Sequence, residues 1–152
     1  MVTIKLKRMG LLIIGVLLFV ILCCAILVPL VNDNAACKTT QSIKEIPLPN
    51  NTEIVETFSA AGKLVGNGNG MQYLGGILIK SELSLEDIRL YYSQYANNEW
   101  ECIVERQIDK NIAFIEHSTI SLEADIDGND YFIVYSWGDN TSIFSELDIR
   151  GH

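Results

Sequence analysis

The residues whose types could do chemistry are few. His117 is the only histidine before the last residue, so any Ser-His-Asp or Cys-His arrangement must use it, with Ser118, Cys102 or an acid as partner. Such a site needs nucleophile, imidazole and orienting acid within hydrogen-bond reach of one another, which spacing in the chain does not show. His117 follows Ile115 and Glu116 and precedes Ser118 and Thr119, where the β pattern breaks. A solvated connection is its plainer reading. A membrane-anchored hydrolase using His117 is the alternative.

Two other clusters resemble ligand loops. Gly66, Gly68 and Gly70, interleaved with Asn67 and Asn69, are spaced closely enough for backbone N–H groups to approach a phosphate. They lack the strand-then-helix context of a dinucleotide fingerprint and the Gly-Lys-Ser/Thr of a P-loop, so they read as a reversal. Asp125, Asp127, Asn129 and Asp130 crowd oxygen ligands as a calcium loop does, but Asp130 and Ser136 stand where an EF-hand needs Gly and Glu. They read as a solvated turn. Glu53 with Glu56, and Glu99 with Glu101, are carboxylate pairs of the kind acidic surfaces carry by chance. Two histidines, with Cys37 and Cys102 lacking the paired spacing of metal ligands, do not make a zinc site. No catalytic, cofactor-binding or metal-binding residue is assigned.

The cysteines divide by compartment. Cys23 and Cys24 fall in an apolar run, whereas Cys37 and Cys102 lie beyond it, where thiols oxidise if the domain is exported. A Cys37–Cys102 disulfide is one reading. The other is two free thiols, with Cys102 alternating with Trp100 and Val104 as a small core residue. Tyr91, Tyr92, Tyr95 and Trp100 form an aromatic cluster that suits either a stacked ligand or the packing of helix on sheet, and packing is the stronger explanation. Asn50-Asn51-Thr52 and Asn140-Thr141-Ser142 fit the glycosylation acceptor pattern, which has meaning only in a eukaryotic secretory route.

The elements that must position these residues are an antiparallel sheet and one helix. Strands are expected at 53–61 and 71–80, joined as a hairpin through the glycine-rich reversal, and then at 100–107, 111–117, 119–126 and 131–137. Ile120, Leu122, Ala124 and Ile126 alternate with polar residues, so that strand has one wet face. Asp127-Gly128 is expected to turn it directly into 131–135, which is apolar on both faces and suits a central strand. Ser84 opens the helix, with Asp87 three positions on as in a capping box. At 100° per residue its apolar face carries Leu85, Ile88, Tyr91, Tyr92, Tyr95 and Ala96, and Asn97-Asn98 closes it.

Ahead of all this, residues 10–31 contain no charge and are nearly all aliphatic. Twenty-two residues at ~1.5 Å each make a helix of ~33 Å, enough for a hydrocarbon core of ~30 Å. A cleaved signal has a shorter core ending in a small-x-small site, and neither Asn34-Ala35-Ala36 nor the sequence before Cys24 or Cys37 fits secretory or lipoprotein processing. Lys5, Lys7 and Arg8 flank the run on one side and only Lys38 is close on the other, which keeps the N-terminus cytoplasmic. Residues 32–152 hold all 19 acidic side chains and eight of the 11 basic ones, a net charge of −11. That balance repels phosphate backbones and argues against nucleic acid as a partner.

The expected architecture is α+β: a cytoplasmic N-terminus at 1–9, a transmembrane signal anchor at 10–31, a stalk at 32–51 and an exported α+β domain at 52–138, then a polar tail at 139–152. In the tail only Ile143, Phe144 and Leu147 offer apolar docking. Membrane lipid, through residues 10–31, is the expected partner, with a protein partner for the exported domain. The function expected of that domain is binding. A hydrolase based on His117 and an accessory subunit of a membrane complex are the other readings.

Overall fold

A computed structural model describes residues 2–66, 70–96, 101–138 and 142–152, the side chains of residues 2–8 apart. It opens with one helix, α1, Val2–Lys44, 43 residues without a break, with Pro29 inside it. Residues 9–27 of α1 expose almost every Leu, Ile, Val and Phe they carry, and the helix is long and apolar enough to cross a membrane.

The segment expected to be a stalk is mostly helix. Residues 32–44 are the last turns of α1 and lie on the sheet, burying Asn32, Ala36, Thr39, Thr40 and Ile43. With Val28 these positions recur every three or four residues, which is one stripe of a helix. The polar members of the stripe obscured it in the sequence, and each is satisfied locally. Thr40 Oγ1 donates to the Phe58 carbonyl at 2.7 Å, and Tyr73 Oη donates to Asn32 Oδ1 at 3.2 Å.

The sheet has the order β1-β2-β6-β3, every neighbouring pair antiparallel, from β1 (Thr52–Gly62), β2 (Gln72–Ser81), β3 (Ile103–Arg106) and β6 (Tyr131–Gly138). The apolar strand β6 is central, as its two-sided pattern requires. A separate two-stranded ribbon joins β4 (Asn111–Ile115) to β5 (Ser118–Ser121). The expected turn at Asp127-Gly128 does not join a hairpin: β5 stops at Ser121 and pairs with β4, while β6 pairs with β2 and β3. Leu122 nevertheless faces inward and is buried, with Ile120, Ala124 and Ile126 packed partly around it. The alternation identified the buried face, although the segment leaves the ladder.

The sheet is covered on both sides. On one face Ile77, Ile79, Phe132, Val134 and Val104 meet Ile43 from the last turn of α1, Ile46 just beyond it, and Ile88 and Tyr92 from α2 (Leu85–Ser93). On the other, Leu74, Leu78, Tyr131, Ile133 and Tyr135 meet the ribbon's Ile112 and Ile115 together with Leu122. Two consecutive glycines make room on opposite faces of β2. A Cβ on Gly75 would collide with the α1 backbone at Thr39 and Thr40, and one on Gly76 would enter the Phe58 ring. A bulge between Ile54 and Glu56 reverses the parity of β1, so that Ile54 packs with the helical face and Phe58 with the ribbon face.

Helix α2 begins as expected: the Ser84 side chain accepts from Asp87 N at 3.1 Å. It ends at Ser93, with Gln94 as its C-cap, earlier than the Asn97-Asn98 expected to close it. Asn97 and Asn98 lie outside the described residues, as do Glu99 and Trp100 of the carboxylate pair and aromatic cluster, residues 67–69 of the glycine-rich reversal and residues 140–141 of the second acceptor pattern.

Candidate functional site

His117 sits in the tight turn between β4 and β5 with φ of 57°, in the left-handed region that His, Asn and Asp tolerate better than most side chains. The turn is locked to the end of β1, where Glu116 N donates to the Lys63 carbonyl at 2.7 Å and Lys63 Nζ pairs with Glu116 at 3.3 Å. The third wall of the cleft is the C-terminus, which is firmly held where a loose tail was expected. Asp148 is buried, and its carboxylate accepts from Asn32 Nδ2 at 2.8 Å and from Arg150 Nη2 at 2.7 Å. Arg150 also pairs with Asp33 at 2.7 Å, and its carbonyl accepts from Lys63 N at 2.9 Å. The result is a cleft of about 580 Å³ whose lining includes Asp33, Lys63, Glu116, His117, Ser118 and Arg150, with His152 at its rim.

Arg150 holds the Asp148 carboxyl down at about 2 through its hydrogen bonds; burial opposes this and the Asn32 hydrogen bond adds to it. The sequence hides this clasp because Asn32 and Asp33 lie more than a hundred residues from Asp148 and Arg150. The only local signal was one arginine in an otherwise acidic tail.

The structure separates the other candidates. Cys102 is buried on the helical face of the sheet, whereas His117 is exposed at the ribbon turn, so the two cannot form a dyad. Burial pushes the Cys102 thiol up to about 12, with Glu101 adding to it, so it is a poor nucleophile at neutral pH. Cys37 is an exposed free thiol on α1 and is not bonded to Cys102. Ser118 adjoins His117, but among the described residues no hydrogen bond links that imidazole to a serine or a carboxylate. Glu56 is fully engaged, its Oε2 accepting from Glu123 N at 2.9 Å and Ala124 N at 3.0 Å, which fastens the ribbon layer to β1. In the aspartate-rich turn, Asp125 pairs with Lys110 and Asp130 with Lys80, so these carboxylates do not converge.

The aromatic cluster divides between the two roles considered for it. Tyr92 is fully buried among Ile88, Cys102 and the sheet, and its hydroxyl has no partner among the described residues. Tyr91 is half-buried against the same core, its hydroxyl donating to the Pro47 carbonyl at 2.9 Å, and Tyr95 lies at the surface. Chemically, then, the cleft offers paired charges of both signs, an exposed imidazole and a serine. Compared with protein-family models, with curated proteins and with solved structures, the chain matches none of them.

Proposed function

We propose that the protein is a single-pass membrane protein whose extracytoplasmic domain binds a polypeptide partner in the cleft between the β4–β5 turn and the C-terminus. The observation that carries this is the unbroken course of α1 from an exposed apolar stretch into the core of the domain. A helix with Leu and Ile outside along one half, and a packed stripe along the other, is suited to lipid first and to protein afterwards. The cluster of Lys5, Lys7 and Arg8 supports a cytoplasmic N-terminus.

Binding is favoured over hydrolysis by the charge arrangement. Lys63 and Arg150 are each matched by an acid, so the cleft carries no strong field for a phosphate or a metal cation. Paired charges and neutral donors suit the hydrogen-bonding groups of a peptide. His117 has no orienting acid among the described residues, which general-base work would need.

Two measurements test the reading. Protease added to intact cells should remove the domain and leave a membrane-bound stub; recovery from the medium of a domain beginning near Cys37 would overturn the anchor. Proteins cross-linked to the domain in detergent extracts should be lost with Lys63→Glu, which places two acids side by side at the cleft, and retained with Ile108→Ser at the opposite end. Loss of the protein's phenotype in a folded, membrane-bound His117→Ala variant would put hydrolysis in its place.

A further inference from the structure

The clasp that closes the cleft also brings apolar side chains down beside the anchor. Leu147 and Ile149 flank Asp148 and share an apolar hollow of about 520 Å³ with Cys24, Ala25, Val28 and Pro29 of α1. Arg150 Nη2 donates to the Pro29 carbonyl at 3.3 Å, which fixes the height of this segment on the helix. Cys24 lies seven residues before Val31, the end of the apolar run, so the hollow reaches ~10 Å along the apolar part of α1. Yet the segment is open to its surroundings: Ile143 is 88 % exposed, Leu147 63 % and Ile149 86 %. Ile143 adjoins Phe144, whose carbonyl lies 3.5 Å from Asn32 Nδ2, so it sits at the same end of the domain.

Three large apolar side chains in the last ten residues are exposed, and two of them, Leu147 and Ile149, are continuous with the apolar run of α1 through the hollow they share with Cys24, Ala25, Val28 and Pro29. From this continuity we infer that the C-terminal segment is a second membrane contact: Ile143, Leu147 and Ile149 enter the acyl boundary of the leaflet from which α1 emerges. The inference rests on the proposal that α1 spans the bilayer. The attraction is apolar, because the domain is strongly acidic and its nearest cation, Arg150, is engaged by Asp148 and Asp33. A depth of ~5–10 Å is usual for apolar faces that lie in this region. The occupant of the hollow is therefore lipid acyl chain, with no requirement for an anionic headgroup.

The test uses the full chain reconstituted in phosphatidylcholine vesicles. An environment-sensitive fluorophore is placed at Leu147→Cys or Ile149→Cys, with Ile108→Cys as control, after replacement of the four natural cysteines by alanine. The 147 and 149 labels should be quenched by nitroxide-bearing lipid and lose quenching by aqueous iodide, while the 108 label shows the reverse. Release of the chain from the vesicles by alkaline carbonate would overturn the anchor and this contact together. A chain that stays in the vesicles with its 149 label open to iodide would overturn the contact alone. A label shielded from both quenchers would also overturn it, in favour of a protein seated on the segment. Should the cysteine-free chain fail to fold, a photoreactive benzoylphenylalanine at position 149 of the otherwise natural chain reads the same point by cross-linking, to lipid if the contact exists and to protein or solvent if it does not.

Discussion

The two halves of α1 invert the usual rule for what a helix hides. In residues 9–27 the large apolar side chains are outside and little is buried; in residues 28–44 the buried set includes Asn32, Thr39 and Thr40. The difference is one of surroundings. In the stretch apolar enough to cross a membrane, a lipid surrounding would leave apolar atoms needing no cover, whereas on the sheet what matters is close approach, and threonines and asparagine allow it once their hydrogen bonds are made. Gly75 shows how close the approach is, since any side chain there would strike the α1 backbone. Polarity along one helix thus reports its neighbour, and burial follows separately.

The comparison is broken most severely by removing the packed half of α1. A chain beginning at Ser42 lacks Ala36, Thr39 and Thr40 and should lose cooperative thermal unfolding by circular dichroism, whereas one beginning at Val28 should keep it. If both melt alike, the helix is a tether and not part of the core. Next, Ile43→Ala should cost ~2–5 kcal/mol in denaturant unfolding of the Val28 chain, because it leaves a cavity against Ile77 and Ile79. In the full chain, Leu17→Ala, in the exposed half, should change domain stability by no more than ~0.5 kcal/mol.

Acid sharpens the comparison at the junction of the two halves. The Asp148 carboxyl is depressed from an ordinary 3.8 to about 2, so the unfolded chain takes up the proton first as pH falls. Its contribution of about 2 kcal/mol is complete above pH ~4 and is lost as pH drops through ~2. Unfolding free energies measured between pH 5 and 2 should show that slope, and Asp148→Asn should remove it. A smaller gain is expected at Tyr92, whose hydroxyl is buried without a partner among the described residues. Tyr92→Phe should raise stability by ~1 kcal/mol, where Tyr92→Ala should lower it by ~3–5 kcal/mol. A gain no larger than that of Tyr92→Phe is expected at His117, whose left-handed turn Gly adopts without strain. His117→Gly should be neutral or stabilising by up to ~1 kcal/mol, and a loss larger than that would indicate a role for the imidazole within the cleft.

The sequence carried local signals well and long-range ones poorly. The Ser84 cap, the hairpin of β1 and β2, and the central place of β6 follow from short patterns that one stretch of chain contains in full. The packed half of α1 was hidden because Asn32, Thr39 and Thr40 dilute a stripe that becomes visible only when the sheet supplies their partners. The ribbon was misplaced for a related reason: Asp127-Gly128 is a sound turn, but the choice between β4 and β6 as partner of β5 depends on which edge is free, and β6 is already occupied on both sides. The cleft was beyond reach, since its Arg150–Asp33 pair joins opposite ends of the chain and its Lys63–Glu116 pair joins two strand ends brought together only by the fold.

The continuity of α1 also acts as a ruler. Where its apolar half is fixed in a bilayer, the height and compass bearing of the cleft are set by a count of residues. Each residue inserted near Val31 would lift the domain by ~1.5 Å and turn it by ~100°, so that a single insertion points the cleft elsewhere while three or four together nearly restore its heading one turn higher. A partner held in the same membrane would meet that dial at one setting.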